Sequence, residues 1–219
     1  MSKGKKPGKP ISKKVIALNY ELKRRSGVRE LKKRFLIVCE DDKSAPNYFE
    51  CLKRHFKLSA TSITIAGSGG RSQPVQVVER AIELKKASND ANSGTEPFSE
   101  IWCIIDGDYG TKINNARFKA NANNVSLAIS TKCFEYWILL HFESNNISTL
   151  DCSQVIRTLR KNHLPGYQKG KVDFSSVVTK VNDARARAEQ IRKPGIARGE
   201  PPENQNPCSD LYLLIEKIL

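Results

Sequence analysis

Ile101-Trp-Cys-Ile-Ile-Asp-Gly-Asp108 is five apolar residues closed by two acids. The apolar run is continuous rather than alternating, which marks a strand covered on both faces. Its acids fall where the chain leaves the sheet. Upstream, Phe35-Leu-Ile-Val-Cys39 repeats the pattern and ends in Glu40. Thr61–Ala66 reads as a further strand, broken by Gly67-Ser-Gly-Gly70, and Val125–Ile129 as a fourth. Helical patterns fall between them. Pro46–Phe56 places Tyr48, Phe49, Leu52 and Phe56 on one side. A second helix runs to about Lys86, with Ser72 as cap and Pro74 early in its first turn. A weaker, Asn-rich one lies near residues 113–122, and Phe134–Phe142 is strongly apolar. Strand–helix alternation at this spacing predicts βαβ units and an α/β fold, a parallel sheet of about four strands flanked by helices.

The last third changes character. Residues 153–163 and 174–192 read as amphipathic or charged helices, 194–207 is rich in Pro, Gly and Asn, and Asp210–Leu219 closes as an apolar helix. No strand is predicted there. The expected organisation is a basic, flexible arm over 1–34, a catalytic core over 35–150, and a helical C-terminal extension of the same domain over 151–219.

Charge is distributed unevenly along the 219 residues, whose net value is +14. Residues 1–34 carry 13 Lys and Arg against 2 acids, whereas 35–150 carry 12 against 13. Such an arm suits a polyanion such as a nucleic-acid backbone; a solubilising tail is the plainer reading of the same residues. No apolar run approaches the ~20 residues of a membrane span, and no hydrophobic stretch follows the basic start. Neither a membrane anchor nor a secretory signal is expected, and the expected location is cytoplasmic. The six cysteines form no C-x-x-C pair and have no histidine at ligand spacing. Neither zinc nor a disulfide framework is expected.

In a parallel α/β sheet, ligands bind outside the carboxyl ends of the strands. Glu40, Asp106 and Asp108 sit there, and Glu135 falls in the first turn of the helix after the fourth strand, with Ser130 or Thr131 as its expected cap. Mg²⁺ takes oxygen ligands, commonly one or two carboxylates with water and substrate phosphate. In extended chain Asp106 and Asp108 face the same way, and Gly107 between them adds no bulk. Glu40 then completes the metal shell or moves a proton in phosphodiester hydrolysis. Unneutralised, such carboxylates repel one another, which a metal relieves. Glu135 lies in a helix apolar nearly all round, so it needs either a metal role or a buried cationic partner.

Other features carry less. Lys43, Arg71, Lys132, Lys169 and Arg187 are the candidate contacts to nucleic acid; for Lys43 a solvated lysine is an equal reading. Gly67-Ser-Gly-Gly70 lacks the G-x-x-x-x-G-K-[ST] pattern, so no nucleotide cofactor is expected; a tight turn is its plainer meaning. His55, His141 and His163 are scattered, and no Ser/His/Asp or Cys/His arrangement is legible.

A strand ending in glutamate followed by D-x-D after a later strand resembles the Toprim-type domain of topoisomerases, primases and OLD-type nucleases. Four blocks resemble the RloB-like family, Toprim-related proteins of bacterial restriction and phage-defence loci. They are Leu36-Ile-Val-Cys-Glu-Asp-Asp-Lys-Ser-Ala-Pro-Asn-Tyr-Phe49, Ile101–Asp108, Ala128-Ile-Ser-Thr-Lys-Cys-Phe-Glu-Tyr-Trp-Ile-Leu-Leu-His-Phe142, and Asn206-Pro-Cys-Ser-Asp-Leu-Tyr-Leu-Leu-Ile215, the last preceded by Tyr167-Gln-Lys169. The resemblance implies a Mg²⁺-dependent nuclease, with Mn²⁺ as a substitute ion, often paired with an ATPase of the RloA or OLD type. It carries metal and acid–base roles onto Glu40, Asp106 and Asp108, and matches Glu135, Asn206 and Ser209 to family blocks. Asp41 stands where glycine is usual, and Ser44 where threonine is expected. An added acid at Asp41 is expected to alter metal affinity or make the site wetter, without removing a core ligand.

The expected function is therefore a metal-dependent endonuclease cutting RNA, such as tRNA, or DNA in anti-phage defence by abortive infection. The alternative is a non-catalytic nucleic-acid-binding or regulatory subunit working with a partner ATPase. A topoisomerase or primase is disfavoured, since 219 residues leave little room for a tyrosine-bearing strand-passage domain and no zinc module is legible.

Overall fold

Phe35–Cys39 forms β1, the second strand of a five-stranded sheet, with every residue buried. The computed structural model describes residues 33–59, 62–71, 73–90, 92–144 and 151–219. The continuous apolar run has a direct cause: alternate residues of β1 face opposite layers. Phe35, Ile37 and Cys39 belong to one core, while Leu36 and Val38 belong to the other.

The remaining strands are β2 (Ile63–Gly67), β3 (Glu100–Asp106), β4 (Ser126–Thr131) and β5 (Cys208–Ser209), in the order β2-β1-β3-β4-β5. The first four are parallel, and β5 joins β4 antiparallel. The architecture is α/β and consistent with a Toprim-like fold. The fifth strand corrects the all-helical expectation for the last third. It is two residues long, too short for any periodicity, and is held by the pairing of Ser209 with Ser130 and by Asp210 N–H donating to the Ile129 carbonyl at 2.8 Å.

Helices α2 (Pro74–Asn89) and α3 (Lys112–Ala122) cover one face. The other is covered by α1 (Ser44–His55), α4 (Phe134–Leu140), α5 (Cys152–Thr158), α6 (Val181–Ala197) and α7 (Leu211–Ile218). Ser72, expected to cap α2, lies outside the described residues; Gln73 caps it, in a reciprocal box with Gln76. Helix α5 runs on into a π-helical turn, Leu159–His163. Helix α6 packs on α4 and α7. The buried Arg192 guanidinium stitches this extension together, donating to Asp210 Oδ1 (3.1 Å), Gln205 Oε1 (2.8 Å) and the Glu200 carbonyl (2.7 Å). His141 is buried between Tyr48 OH (2.9 Å) and the Trp137 carbonyl (3.0 Å), and burial pulls its pKa down to about 4.

Residues 1–32 of the basic arm lie outside the described residues. Arg34, assigned to the arm, instead belongs to the fold: its carbonyl accepts from Ser99 N–H at 2.8 Å and its guanidinium lies over the Phe98 ring. Among the described residues, no helix is long and apolar enough to cross a membrane.

Candidate active site

The parallel register sets Cys39 beside Ile104 and Asp106 beside Ser130, so Glu40 and Asp106 leave the sheet at the same edge. Asp106 N–H donates to Glu40 Oε2 at 3.0 Å, and Tyr109 OH donates to Glu40 Oε1. One flank of Asp106 faces α4, where its Oδ1 accepts the Phe134 N–H at 2.8 Å. This corrects the expected cap. Neither Ser130 nor Thr131 caps α4; Cys133 occupies the cap position without a side-chain bond, and the acceptor comes from β3. A carboxylate at a helix start satisfies a free N–H and meets the positive end of the helix.

Glu40, Asp106 and Glu135 line one cavity of about 340 Å³ with Asp41, Asp42, Arg71 and Lys169. Burial pushes the Asp106 pKa well up, and the charges of Glu40 and Glu135 push it further. Burial likewise raises Glu40, outweighing the bonds from Tyr109 and the Asp106 amide. Glu135 is almost fully buried. Its Oε1 accepts from Tyr167 OH at 2.9 Å and pairs with Lys169 Nζ at 3.2 Å. The buried cationic partner expected as one reading of Glu135 is Lys169, and the carboxylate also lines the cavity. Burial works against the Lys169 ammonium, but Glu135, Asp106 and Asp41 outweigh it and raise its pKa. Lys169 comes from the segment between α5 and α6, far in sequence from the strands.

Asp108 is placed otherwise than its spacing predicts. Regular strand ends at Asp106, and residues 107 and 108 form a turn, so the extended alternation that would aim both acids at one ion stops. Asp108 is exposed and does not line the cavity, though its charge helps to raise Glu40. Glycine at 107 answers a close approach: a Cβ there would meet Thr131 Oγ1 at 2.4 Å and Thr131 Cα at 3.0 Å.

The two added acids after Glu40 are engaged by backbone. Asp41 accepts from the N–H groups of Ser44 and Ala45 at the start of α1. Asp42 accepts from Gly69 and Gly70 N–H, each at 3.0 Å. The glycine-rich turn thus does hold an anion, the protein's own Asp42. Gly67 leaves room for it, since a Cβ there would fall 2.1 Å from Asp42 Oδ1.

The other basic candidates divide. Arg71 lines the cavity and pairs with Glu83 at 3.0 Å. Lys43 is exposed, its stem against Gly170, and does not line the cavity; nor does the half-buried Lys132. Arg187 donates to the Leu140 carbonyl at 2.7 Å and so closes the carboxyl end of α4. Ser209 is fully buried against Ser130 Oγ at 3.1 Å and has no place in the cavity wall.

Tyr109 was missed, because a tyrosine after an acid carries no signal of its own. The cysteines bring a correction. Cys133 and Cys152 are joined by a disulfide, while Cys39, Cys51, Cys103 and Cys208 are buried free thiols. The pair is 19 residues apart with no motif around it, and only the return of α5 beside the start of α4 brings the two together.

Glu40, Asp106, Glu135 and Lys169 thus gather at the carboxyl edge of a mostly parallel sheet, in an α/β architecture consistent with a Toprim-like fold. Residues 35–218 match the family model described as RloB-like protein, and the chain belongs to that family. No curated protein and no solved structure matches it.

Proposed function

We propose that this chain is a divalent-cation-dependent endonuclease hydrolysing phosphodiesters of nucleic acid, RNA such as tRNA or DNA, in anti-phage defence. The observation that carries the reading is the convergence of Glu40, Asp106 and Glu135 on one cavity, where burial raises both Asp106 and Glu40, the charges of Glu40 and Glu135 raise Asp106 further, and those of Asp108 and Asp41 raise Glu40. Oxygen-only donors whose charges oppose one another suit a hard cation such as Mg²⁺, with Mn²⁺ as a substitute. Glu40 and Asp106 would hold the ion beside Glu135, with Asp108 adding negative field from outside the lining. Bound there, the ion would polarise the phosphate and lower the pKa of a coordinated water.

The chain's own groups supply the rest. Tyr109 and the Asp106 amide fix the orientation of the Glu40 carboxylate. A carboxylate whose pKa is raised holds a proton more readily than an ordinary one and is suited to move it. Lys169 Nζ, charged and half exposed, offers a cation to a phosphate oxygen. Arg71 extends that field along the cavity wall. The surplus of Lys and Arg in residues 1–34 would hold the backbone electrostatically, making activity fall with salt. An RloA- or OLD-type ATPase is the proposed partner.

The test is a cleavage assay on the full chain with plasmid, single-stranded DNA and total tRNA, in Mg²⁺ or Mn²⁺, with EDTA and Asp106→Asn as controls. Cutting that requires metal and vanishes in the variant supports the enzyme and names its substrate. Salt-sensitive binding with no cutting, with or without an ATPase partner, would make the chain a regulatory subunit instead.

A further inference from the structure

We propose that Cys133 and Cys152 form a reversible redox site that tightens or loosens the acid cluster's hold on a divalent cation, an inference that rests on the cation-dependent reading above. The geometry is specific. Cys133 occupies the cap position of α4, directly before Phe134, whose N–H holds Asp106, and two residues before Glu135. Cys152 opens α5, and its Sγ lies 3.7 Å from Glu135 Oε2. The sulfurs and the Glu135 carboxylate all fall within 4.8 Å of one another. No other cysteine pair is bonded among the described residues, and the four remaining thiols are buried. This bond therefore joins the start of α5 to the cap of α4, next to Phe134 and Glu135 in the cavity wall.

Exposure sets the order of the chemistry. Cys133 is buried and Cys152 partly exposed, so an external thiolate, such as that of a glutathione-type thiol, attacks Cys152 Sγ. A mixed disulfide forms there; the protein's S–S bond breaks, and its electron pair leaves on Cys133 Sγ, which takes a proton. A second thiolate attacks the outer sulfur of the mixed disulfide and releases the external disulfide and the Cys152 thiol. In sum, one protein disulfide and two external thiols give two protein thiols and one external disulfide, and the reverse reaction restores the bond.

Bonded, the Cys152 sulfur offers Glu135 no proton. Reduced, its S–H becomes a donor to Glu135 Oε2, competing with a cation for that oxygen, and α5 is no longer tied to the turn that fixes Phe134. Both changes weaken cation binding, so the oxidised chain is the tighter binder.

The full chain, equilibrated with reduced or oxidised glutathione, is denatured and alkylated with N-ethylmaleimide for intact mass, and parallel native samples are titrated with Mn²⁺ followed by electron paramagnetic resonance. The oxidised chain should carry four modified thiols and the reduced chain six. Mn²⁺ affinity should fall about fivefold or more on reduction. Cys152→Ser and Cys133→Ser should each bind as the reduced chain does under both conditions. Six modified thiols in every state, or equal Mn²⁺ affinity in both, would overturn the redox site alone. Absence of Mn²⁺ binding in either state would overturn the cation reading as well.

Discussion

The Asp106 carboxylate accepts the Phe134 backbone N–H at 2.8 Å, so the end of β3 caps the helix that carries Glu135. One acid therefore does two things. It closes the start of α4 and it sets the distance between two carboxylates that repel each other. Replacement by alanine removes both, whereas asparagine keeps an oxygen acceptor and removes only the charge.

Asp106→Asn should consequently be more stable than the wild type at neutral pH while losing cleavage. The folded-state pKa of Asp106 is raised above the aspartate value. Between the ordinary value of ~3.9 and the raised one, the folded chain keeps a proton the unfolded chain has released. Stability thus falls as pH rises through that window, and the cost is fully present above it. Asparagine escapes this cost. The gain should read as a higher Tm than that of the wild type at pH 7. The gain should shrink to nothing below about pH 3.5, under the ordinary aspartate pKa. Scanning calorimetry from pH 3 to 8 reads this directly, and a variant less stable at pH 7 would mean the charge is already compensated.

Divalent cations should stabilise the wild type for the same electrostatic reason. A ligand that binds only the folded chain adds about 2.7 kcal/mol at a hundredfold excess over its Kd. Mg²⁺ or Mn²⁺ should therefore raise Tm by several degrees, with Glu40→Gln and Asp106→Asn each abolishing most of the shift. K⁺ at matched ionic strength serves as the control for general ionic effects. An identical shift in wild type and both variants would place the ion elsewhere.

The sheet was readable because burial on both faces leaves a continuous apolar run, and Phe35–Cys39 and Ile101–Ile105 show little else. The edge where Glu40 and Asp106 emerge followed from strand direction alone. What lay hidden depended on contacts distant in sequence. Lys169 reaches Glu135 from 34 positions away, and Cys152 reaches Cys133 only because α5 returns beside α4. Asp108 was misplaced because spacing says which way a side chain points only while the strand continues, and it stops at Asp106. Asp41 was expected to alter metal affinity; without coordinates nothing shows that backbone amides already hold it and its neighbour Asp42.

Lys169→Met should expose how much of the Glu135 charge depends on one partner. Glu135 is almost fully buried, whereas the Lys169 side chain is half exposed, so solvent screening limits the loss to about 1–3 kcal/mol. The double variant Lys169→Met with Glu135→Gln should recover most of it, because the carboxamide keeps an acceptor for Tyr167 without leaving a charge unpaired. Urea titrations of the four chains form the cycle. Additive losses would show that the pair is not coupled.

Arg192→Ala should be the most damaging of these changes, although it lies outside the cavity. Arg192 and Asp210 are both buried, and the same guanidinium also serves Gln205 and the Glu200 carbonyl. Removing it strands the Asp210 charge directly after β5, at the edge where β5 meets β4. Breaking a buried pair costs about 3–5 kcal/mol, a fall in Tm on the order of 10 °C. Lysine cannot rescue it, since an ammonium lacks the planar fork that reaches three acceptors at once. Amide exchange should show the damage locally first, with the Asp210 N–H bonded to Ile129 losing protection before the amides of β1 and β3. Uniform loss of protection across the sheet would mean instead that the extension and the core unfold as one unit.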